Sequence, residues 1–160
     1  LVLLCLRRRD CPFGDLSVDS RQHGLRSHVR VDLRTHFGNS VAQIREALRV
    51  GVPRDAFESL RNDLGISSGE FAAVLGIPTR TLARRTDRFK PDESERIFRF
   101  GRVFQDAVDL FNGNEGEARA WLLQPQFGLG GAIPLEFART EPGAQEVRSL
   151  IGRLNEGIFA

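Results

Sequence analysis

Arginine is concentrated in one short stretch of the sequence, in a spacing that could support nucleic-acid recognition. It recurs every fourth residue at Arg80, Arg84 and Arg88, with Arg85 beside them. Residues four apart share one face of a helix, and a guanidinium can donate two hydrogen bonds to guanine O6 and N7 or pair with a phosphate. Nearby hydroxyl groups extend the predicted DNA-binding set, at Ser68, Thr79 and Thr81.

The residues before this arginine stretch predict a short helix that would support it. Phe71, Val74 and Leu75 fall at i, i+3 and i+4, which places their side chains on one face. Either Ser67 or Ser68 can cap the helix by accepting a hydrogen bond from a free N–H group of the first turn. We therefore expect an amphipathic helix that ends just before the arginines begin.

A tight corner should join this helix to the arginine-bearing one. Gly76 permits the left-handed conformation that ends a helix, and Pro78 blocks its continuation. Thr79 or Thr81 can open the next helix, in which Leu82 is the single strongly apolar residue. A short helix with one buried anchor and a cationic outer face is typical of the second helix of a helix-turn-helix, which enters the major groove.

The stretch from Ser67 to Arg88 also has a purely structural interpretation. Helix pairs with such a corner are common in all-helical proteins, and an arginine-rich helix is often a solvated face. The formal net charge is only +2, so affinity for nucleic acid would have to come from a local patch. Five of the eleven residues from Arg80 to Lys90 are Lys or Arg and one is Asp, which favours DNA binding.

The other residues that could do chemistry form no recognisable site. His23, His28 and His36 have spacings that fit no metal-binding helix, and Cys5 and Cys11 lack the partners of a zinc site. The two cysteines fit either a disulfide or free thiols, and a reducing cytosol favours the thiols. There is no nucleophile elbow and no tyrosine. We predict a protein that is not an enzyme and has no cofactor or metal.

The composition fits a soluble globular protein. With 160 residues, 41% hydrophobic and 28% charged, the chain has room for one average domain or two small ones. The opening LVLLCLRRR has its charges after a short apolar run, which is the reverse of a secretory signal. No stretch approaches the roughly 18 apolar residues of a membrane span. We expect a cytoplasmic protein with no membrane association.

The first 90 residues should divide into a tail and a small bundle. Residues 1–39 show no sustained period and the chain lacks methionine, so a poorly ordered tail or a misassigned start both fit. Order should begin near Ser40, which can cap a helix, and a second helix should run from Pro53 to about Leu64 and close at Gly65. Together with the two helices of the Ser67–Arg88 stretch, these two form the predicted helix-turn-helix domain, residues 40–90. The apolar positions of the four helices are Val41, Ile44, Leu48, Phe57, Leu60, Leu64, Phe71, Leu75 and Leu82.

Residues 91–160 should form a long helix followed by a small helical domain. The predicted helix, from about Asp92 to Phe111, has an apolar stripe wide enough to pack on more than one side and is also a candidate dimer surface. Shorter helices should follow over residues 115–123, 134–138 and 142–155, with a glycine-rich loop from Phe127 to Pro134. That loop lacks the phosphate-binding pattern GxxxxGK[ST], so its glycines more simply permit a tight backbone path over Trp121. The predicted fold class is therefore all-α.

From about Val41 to Ala160, the chain resembles the Xre/MbcA/ParS family of bacterial antitoxins, the partners of RES-domain toxins. The pieces that carry the resemblance are GVPRDAFESLRNDLGIS, GIPTRTLARR, ESERIFRFGRVFQDAVDLF and EARAWLLQPQFGLGGAIPLEFARTEPGAQEVRSLIGRLNEGIFA. The last piece is the most specific, because WL, a nearby proline, LGG, PL, T-x-x-G-A and R-L-x-x-G-I-F-A follow in this order. The resemblance does not extend to residues 1–39.

The resemblance implies a two-part antitoxin. Its helix-turn-helix would bind the operator of its own genes, and its C-terminal domain would silence a toxin that depletes NAD or transfers ADP-ribose from it. By motif match, the end that blocks the toxin comprises Arg153, Asn155, Glu156, Gly157, Ile158 and Phe159. The domain behind that end would be shaped by Trp121, Leu129, Gly130, Gly131 and Pro134. The family often has an acid and then an aromatic residue or histidine where this chain has Asn155-Glu156, so the polar contact inside the toxin is open.

Two further expectations accompany this assignment. A helix-turn-helix this small buries little DNA surface, so we expect a homodimer on two half-sites, associated with the nucleoid when bound to its operator.

The alternative is a stand-alone transcription regulator whose helical C-terminal domain senses a small ligand. That alternative predicts a closed apolar pocket near Trp121 and Phe104 and no stable protein partner.

Overall fold

The computed structural model describes residues 37–158, and this part of the chain forms eight α-helices and no strand, which confirms the all-α prediction. The helices are α1 Val41–Val50, α2 Arg54–Leu64, α3 Ser68–Val74, α4 Thr79–Arg84, α5 Pro91–Leu110, α6 Glu115–Leu122, α7 Pro134–Phe137 and α8 Glu141–Asn155. A 3-10 turn, Phe127–Leu129, lies between α6 and α7. The predictions for the three histidines, both cysteines and Phe159 lie outside the described residues.

The first helix begins where the sequence predicts but packs differently. Ser40 caps α1 reciprocally, because its Oγ accepts the Gln43 N–H (3.2 Å) while Gln43 Oε1 accepts the Ser40 N–H (3.1 Å). Val41 is 74% exposed, so its predicted place on the inward face is wrong. The helix lies on the outside of the fold, and none of its residues is fully buried. Order also extends before Ser40, since Phe37 is buried and its ring lies 4.8 Å from that of Phe98.

The centre of the first half is a cluster of phenylalanine rings from four parts of the chain. The Phe57 ring lies 5.0 Å from that of Phe71 and 5.3 Å from that of Phe89. Phe71 in turn meets Phe100 of α5 edge-on at 6.2 Å. Offset and edge-to-face geometries are the favoured ones for aromatic pairs and add to the gain from burial. The helix-turn-helix therefore shares its core with α5, and the chain has one continuous core.

The long helix α5 packs on several sides, as its wide apolar stripe predicts. It contacts α1, α2, α6 and α8. Two ion pairs fasten it to α8, from Arg99 to Glu141 (2.6 Å) and from Arg148 to Asp106 (2.5 Å). No large apolar side chain of α5 is exposed, because the apolar stripe packs against other helices of the same chain. The stripe therefore gives no support to α5 as a dimer surface. Within residues 37–158, no helix is long and apolar enough to cross a membrane.

These ion pairs also fix the direction of α8 relative to α5. Arg99 and Asp106 are seven residues apart on α5, and their partners Glu141 and Arg148 are seven residues apart on α8 in the same order. The two helices therefore run parallel, and the C-terminal end of α8 lies at the C-terminal end of α5. The helix-turn-helix contacts the opposite end of α5, since Arg96 donates to the carbonyl groups of Leu75 and Gly76. From residue 93 to residue 110 of α5, the seventeen steps of the helix span about 25 Å.

Candidate nucleic-acid interface and partner-binding end

The first helix of the predicted pair is capped by Ser67 and not by Ser68. Ser67 Oγ accepts the Glu70 N–H (3.2 Å), and Glu70 Oε2 accepts the Ser67 N–H (2.8 Å). A hydrogen bond from the Ser67 hydroxyl to the Glu70 carboxylate, and after it the bond from the Ser67 N–H, hold the pKa of Glu70 below its ordinary value. Ser68 is the first residue of α3 and is half-buried.

The corner between α3 and α4 has the geometry that glycine and proline predict. Gly76 adopts a positive φ of 65°, and its N–H donates to the Ala73 carbonyl (3.0 Å). The Ile77 N–H reaches back to the Ala72 carbonyl (2.8 Å), which completes a Schellman turn. The side chain of Arg96 covers the end of the turn by donating to the Leu75 carbonyl (2.9 Å). The corner before α4 is therefore held by backbone bonds and by Arg96.

The second helix is shorter than the arginine spacing predicts. It runs from Thr79 to Arg84, preceded by Pro78, and neither threonine hydroxyl caps it. Leu82 is its only buried residue, as expected. Arg85 is extended (φ −83°, ψ 97°), so the helix has ended before the next turn. The prediction that Arg88 shares a helical face with Arg80 and Arg84 is therefore wrong.

Arg85 is held by a buried carboxylate. Its Nε donates to Glu93 Oε2 (2.9 Å) and its Nη2 to Glu93 Oε1 (3.0 Å). Glu93, at the start of α5, is only 5% exposed and also accepts the Lys90 N–H (2.8 Å). Burial opposes ionisation of Glu93, but the hydrogen bonds from Arg85 and the Lys90 amide outweigh it and hold its pKa below the ordinary value. A charge pair in this position fastens α4 to α5.

Arg88 is also engaged within the fold. Its Nη1 donates to the Gly51 carbonyl (2.6 Å), after the end of α1. The backbone around Arg88 is bonded to the start of α2, because the Arg54 N–H donates to the Asp87 carbonyl (2.9 Å). A side chain on Gly51 would collide with the Phe89 carbonyl, so the two segments approach as closely as their backbones allow. Arg88 is nevertheless exposed and only its Nη1 is engaged, so its predicted DNA contact stays a prediction.

Arg80 and Arg84 differ from the other two arginines. Both are exposed, and within the described residues neither has a hydrogen bond or an ion pair. Thr79 beside them is exposed and Thr81 is half-buried. The C-terminal end of the helix that carries them is fixed from behind by Arg54, whose Nη1 donates to the carbonyl groups of Leu82 (3.0 Å) and Arg85 (2.6 Å). Of the predicted arginines, Arg80 and Arg84 are thus the two whose guanidinium groups have no partner within the described residues.

The end of α8 is shaped by a second Schellman turn. The Ile158 N–H donates to the Arg153 carbonyl (2.9 Å), and the Gly157 N–H donates to the Leu154 carbonyl (3.1 Å). Gly157 has a positive φ of 73°, which reverses the chain there. The side chain of Ile158 is 54% exposed after this reversal. Gly157 and Ile158 therefore leave α8 in a defined direction, with Ile158 facing solvent.

The other residues of the predicted blocking end have separate surroundings. Asn155 is the last residue of α8 and Glu156 follows it, and both are exposed. Arg153 is half-buried, and its guanidinium pairs with the carboxylate of Glu146, about two turns earlier on α8 (3.2 Å). Asn155 and Glu156 are thus accessible to a partner, whereas Arg153 already has an internal one.

The glycine-rich loop behind this end is well defined. Leu129 and Pro134 are buried, while Trp121 is half-buried. Gly130 and Gly131 have positive φ angles of 65° and 84°, which only glycine adopts readily. These glycines allow a tight turn, closed by an isolated bridge between the residues that flank the loop, Gln126 and Ala132.

Sequence reasoning did not anticipate two features of this loop. Gly128 packs directly on α8, since a Cβ at that position would lie 2.5 Å from Leu150 Cδ1. Phe127 is 89% exposed, although a phenylalanine is usually buried. Only the tertiary packing distinguishes it from the buried phenylalanines of the same chain.

Comparison with protein-family models assigns both halves of the chain. Residues 43–102 match the model of an antitoxin Xre-like helix-turn-helix domain. Residues 106–157 match the model of an antitoxin Xre/MbcA/ParS C-terminal toxin-binding domain. The matched segments meet inside α5, and the predicted division at residue 90, where α5 is about to begin, stays a prediction.

Two relatives extend over most of the chain. An Antitoxin Xre of Yersinia enterocolitica is 43% identical over 118 residues, which are 72% of this chain and 80% of the relative. An Antitoxin Xre of Photorhabdus laumondii is 37% identical over 125 residues, 76% of this chain and 84% of the relative. With a helix-turn-helix half, a toxin-binding half and these relatives, the chain belongs to the Xre family of antitoxins.

Proposed function

We propose that this antitoxin binds and blocks an NAD-consuming RES-domain toxin and represses the operon of the pair by binding operator DNA. The observation that carries the proposal is the placement of two solvent-facing elements at opposite ends of α5. The exposed Arg80–Arg84 face lies at one end, and the reversed terminus after Gly157 lies at the other. A spacing of about 25 Å along the helix lets one chain engage both ligands without overlap.

The DNA-binding part of the proposal relies on α4. Arg80 and Arg84 are four residues apart, so they project from one face of the helix into solvent. Arg54, Arg85 and Arg96 hold the helix from the protein side, which leaves its outer face free to enter a major groove. A helix of this length reads few bases, so we propose a homodimer on two half-sites.

The toxin-binding part relies on the end of α8. The Schellman turn at Gly157 reverses the chain at the end of α8 and leaves Ile158 exposed. An apolar segment in a fixed direction loses less conformational entropy when it enters a cleft than a frayed one does. We propose that this segment enters the active-site mouth of the toxin, with Asn155 and Glu156 supplying polar contacts.

Co-expression tests the proposal. Cells that express the toxin encoded beside this gene should lose NAD and stop growing, and co-expression of the antitoxin should restore both NAD and growth. The purified pair should also co-elute and retard a DNA fragment from upstream of the operon. Failure of the antitoxin to restore NAD would contradict the proposed target, and failure to retard the operator fragment would contradict repression.

The ligand-sensing alternative has less support. It predicts a closed apolar pocket near Trp121 and Phe104. Phe104 does line a groove of about 270 Å³, but the groove opens to solvent, includes Asp109 and Glu115 in its walls and does not reach Trp121. We therefore favour an antitoxin that has no catalytic activity or cofactor and that acts in the cytoplasm, at the nucleoid when bound to its operator.

A further inference from the structure

The loop between α6 and α7 carries an apolar side chain that the fold does not use. Phe127 is 89% exposed, more than any other large apolar residue in the described part of the chain. A phenylalanine buries about 150–250 Å² when it is covered, so a fold that leaves one exposed loses the stabilisation that its burial would give. Isolated exposed apolar residues are common, and exposure alone does not assign a role. Two further properties of the loop, its rigid backbone and its position beside the end of α8, distinguish Phe127 from such residues.

The backbone under Phe127 is fixed on both sides. Its carbonyl accepts the Gly130 N–H (2.9 Å), and the preceding residue, Gln126, accepts the Gly131 N–H (3.0 Å). Gln126 Nε2 also donates to the Trp121 carbonyl (2.9 Å), which ties the loop to α6. The Phe127 side chain is therefore presented on a rigid base. Such a residue loses little entropy on binding, which is the property of an interface anchor.

The same loop lies beside the end of the chain that we propose enters the toxin. Gly128 is wedged against Leu150 of α8, with no room for a Cβ. The reversal at Gly157 brings Ile158 back to Arg153, to which its N–H is bonded. Leu150 and Arg153 are less than one helical turn apart, about 4.5 Å along the axis. The exposed side chains of Phe127 and Ile158 are thus presented at the same end of α8.

We propose that Phe127 is an anchor of the toxin interface, which inserts into an apolar depression on the toxin beside the site where the antitoxin terminus enters. Phe127 lies within the segment that matches a toxin-binding domain, residues 106–157. Aromatic anchors surrounded by energetically neutral contacts carry most of the binding energy in many protein interfaces. The inference rests on the proposed function, because it requires that the chain bind the toxin.

The test is a titration of the purified toxin with full-length antitoxin variants. We expect Phe127→Ala to weaken the Kd about ten- to a hundred-fold, and Phe127→Leu to weaken it less. Val41→Ala removes a 74% exposed apolar side chain from α1 and should leave the Kd unchanged. Because Phe127 is so exposed, its variants should keep the wild-type melting temperature and operator binding.

The outcomes separate the inference from the proposed function. If wild-type antitoxin binds the toxin and Phe127→Ala binds it equally well, the inference is overturned and the proposed function stands. If the wild type does not bind the toxin, both are overturned. If Phe127→Ala leaves toxin affinity unchanged but converts an antitoxin dimer to a monomer in light scattering, the side chain covers a second copy of the chain, and the inference is again overturned.

Discussion

Arg85 and Glu93 form a two-point ion pair between the end of α4 and the first turn of α5, at 2.9 and 3.0 Å. Glu93 is almost completely buried, where an ionised carboxylate without a partner would be costly. The pair gives Arg85 a structural role in a stretch whose composition favours DNA binding. Arg80 and Arg84, which lie on α4 itself, have no such partner in the described residues.

The ion pair predicts a stability defect. Glu93→Gln keeps the shape of the side chain but removes its charge, and it should lower the free energy of unfolding by about 1–3 kcal/mol. Arg85→Ala should destabilise in the same direction, because it leaves the Glu93 carboxylate buried without its partner. Urea unfolding followed by circular dichroism measures both. A Glu93→Gln variant as stable as the wild type would show that the pair contributes nothing.

The depressed pKa of Glu93 predicts how this contribution depends on pH. A carboxyl whose folded-state pKa lies below its unfolded value of 4.5 stabilises the fold fully above that value and loses its contribution as the pH falls through the folded pKa. Glu70 acts in the same direction. The difference in unfolding free energy between wild type and Glu93→Gln should therefore be constant near neutral pH and shrink below about pH 4.5. A constant difference down to pH 3 would contradict the assignment.

The exposed arginines predict a separate defect in DNA binding. Arg80→Ala and Arg84→Ala should each weaken operator binding by about 1–3 kcal/mol and leave the melting temperature unchanged. Arg45→Ala removes the same charge from the exposed face of α1 and serves as the matched control. Fluorescence anisotropy with labelled operator DNA measures all three. Equal losses for Arg45→Ala and Arg84→Ala would indicate a general charge effect and remove α4 as the reading helix.

Gly152 within α8 and Gly157 just after it predict opposite effects of the same substitution. Gly157 has a positive φ of 73°, so Gly157→Ala should strain the Schellman turn by about 1 kcal/mol and weaken toxin inhibition. Gly152 is exposed within the helix, and a Cβ there would meet nothing within 4 Å. Gly152→Ala should therefore stabilise α8 by about 0.5–1 kcal/mol without affecting inhibition. Identical inhibition by both variants would show that the direction of the terminus is unimportant.

Local patterns predicted most of the elements correctly. The spacing of Phe71, Val74 and Leu75 predicted α3, and Gly76 with Pro78 predicted the corner after it. These signals lie within a few residues of the structure they determine, because caps, turns and helical faces depend on neighbouring positions. The fold class and the sequence of helices followed from them.

The misassigned residues depend on partners that are distant or unpatterned. Arg88 was placed on a helix because it follows Arg84 by four residues, but the helix ends when Arg85 turns towards Glu93. Phe127 was predicted only as the start of a loop, and no local pattern indicates that it is exposed while the next residue packs against Leu150 on a different helix. Long-range contacts of this kind leave no periodic signal.

The central claim is that the two ends of α5 serve two ligands independently, with the terminus blocking the toxin. It is tested most directly by titrating the toxin's NAD consumption with antitoxin that lacks residues 157–160. We predict no inhibition at concentrations at which the full chain inhibits completely, while the shortened chain retards operator DNA as well as the full chain does. Complete inhibition by the shortened chain would contradict the account.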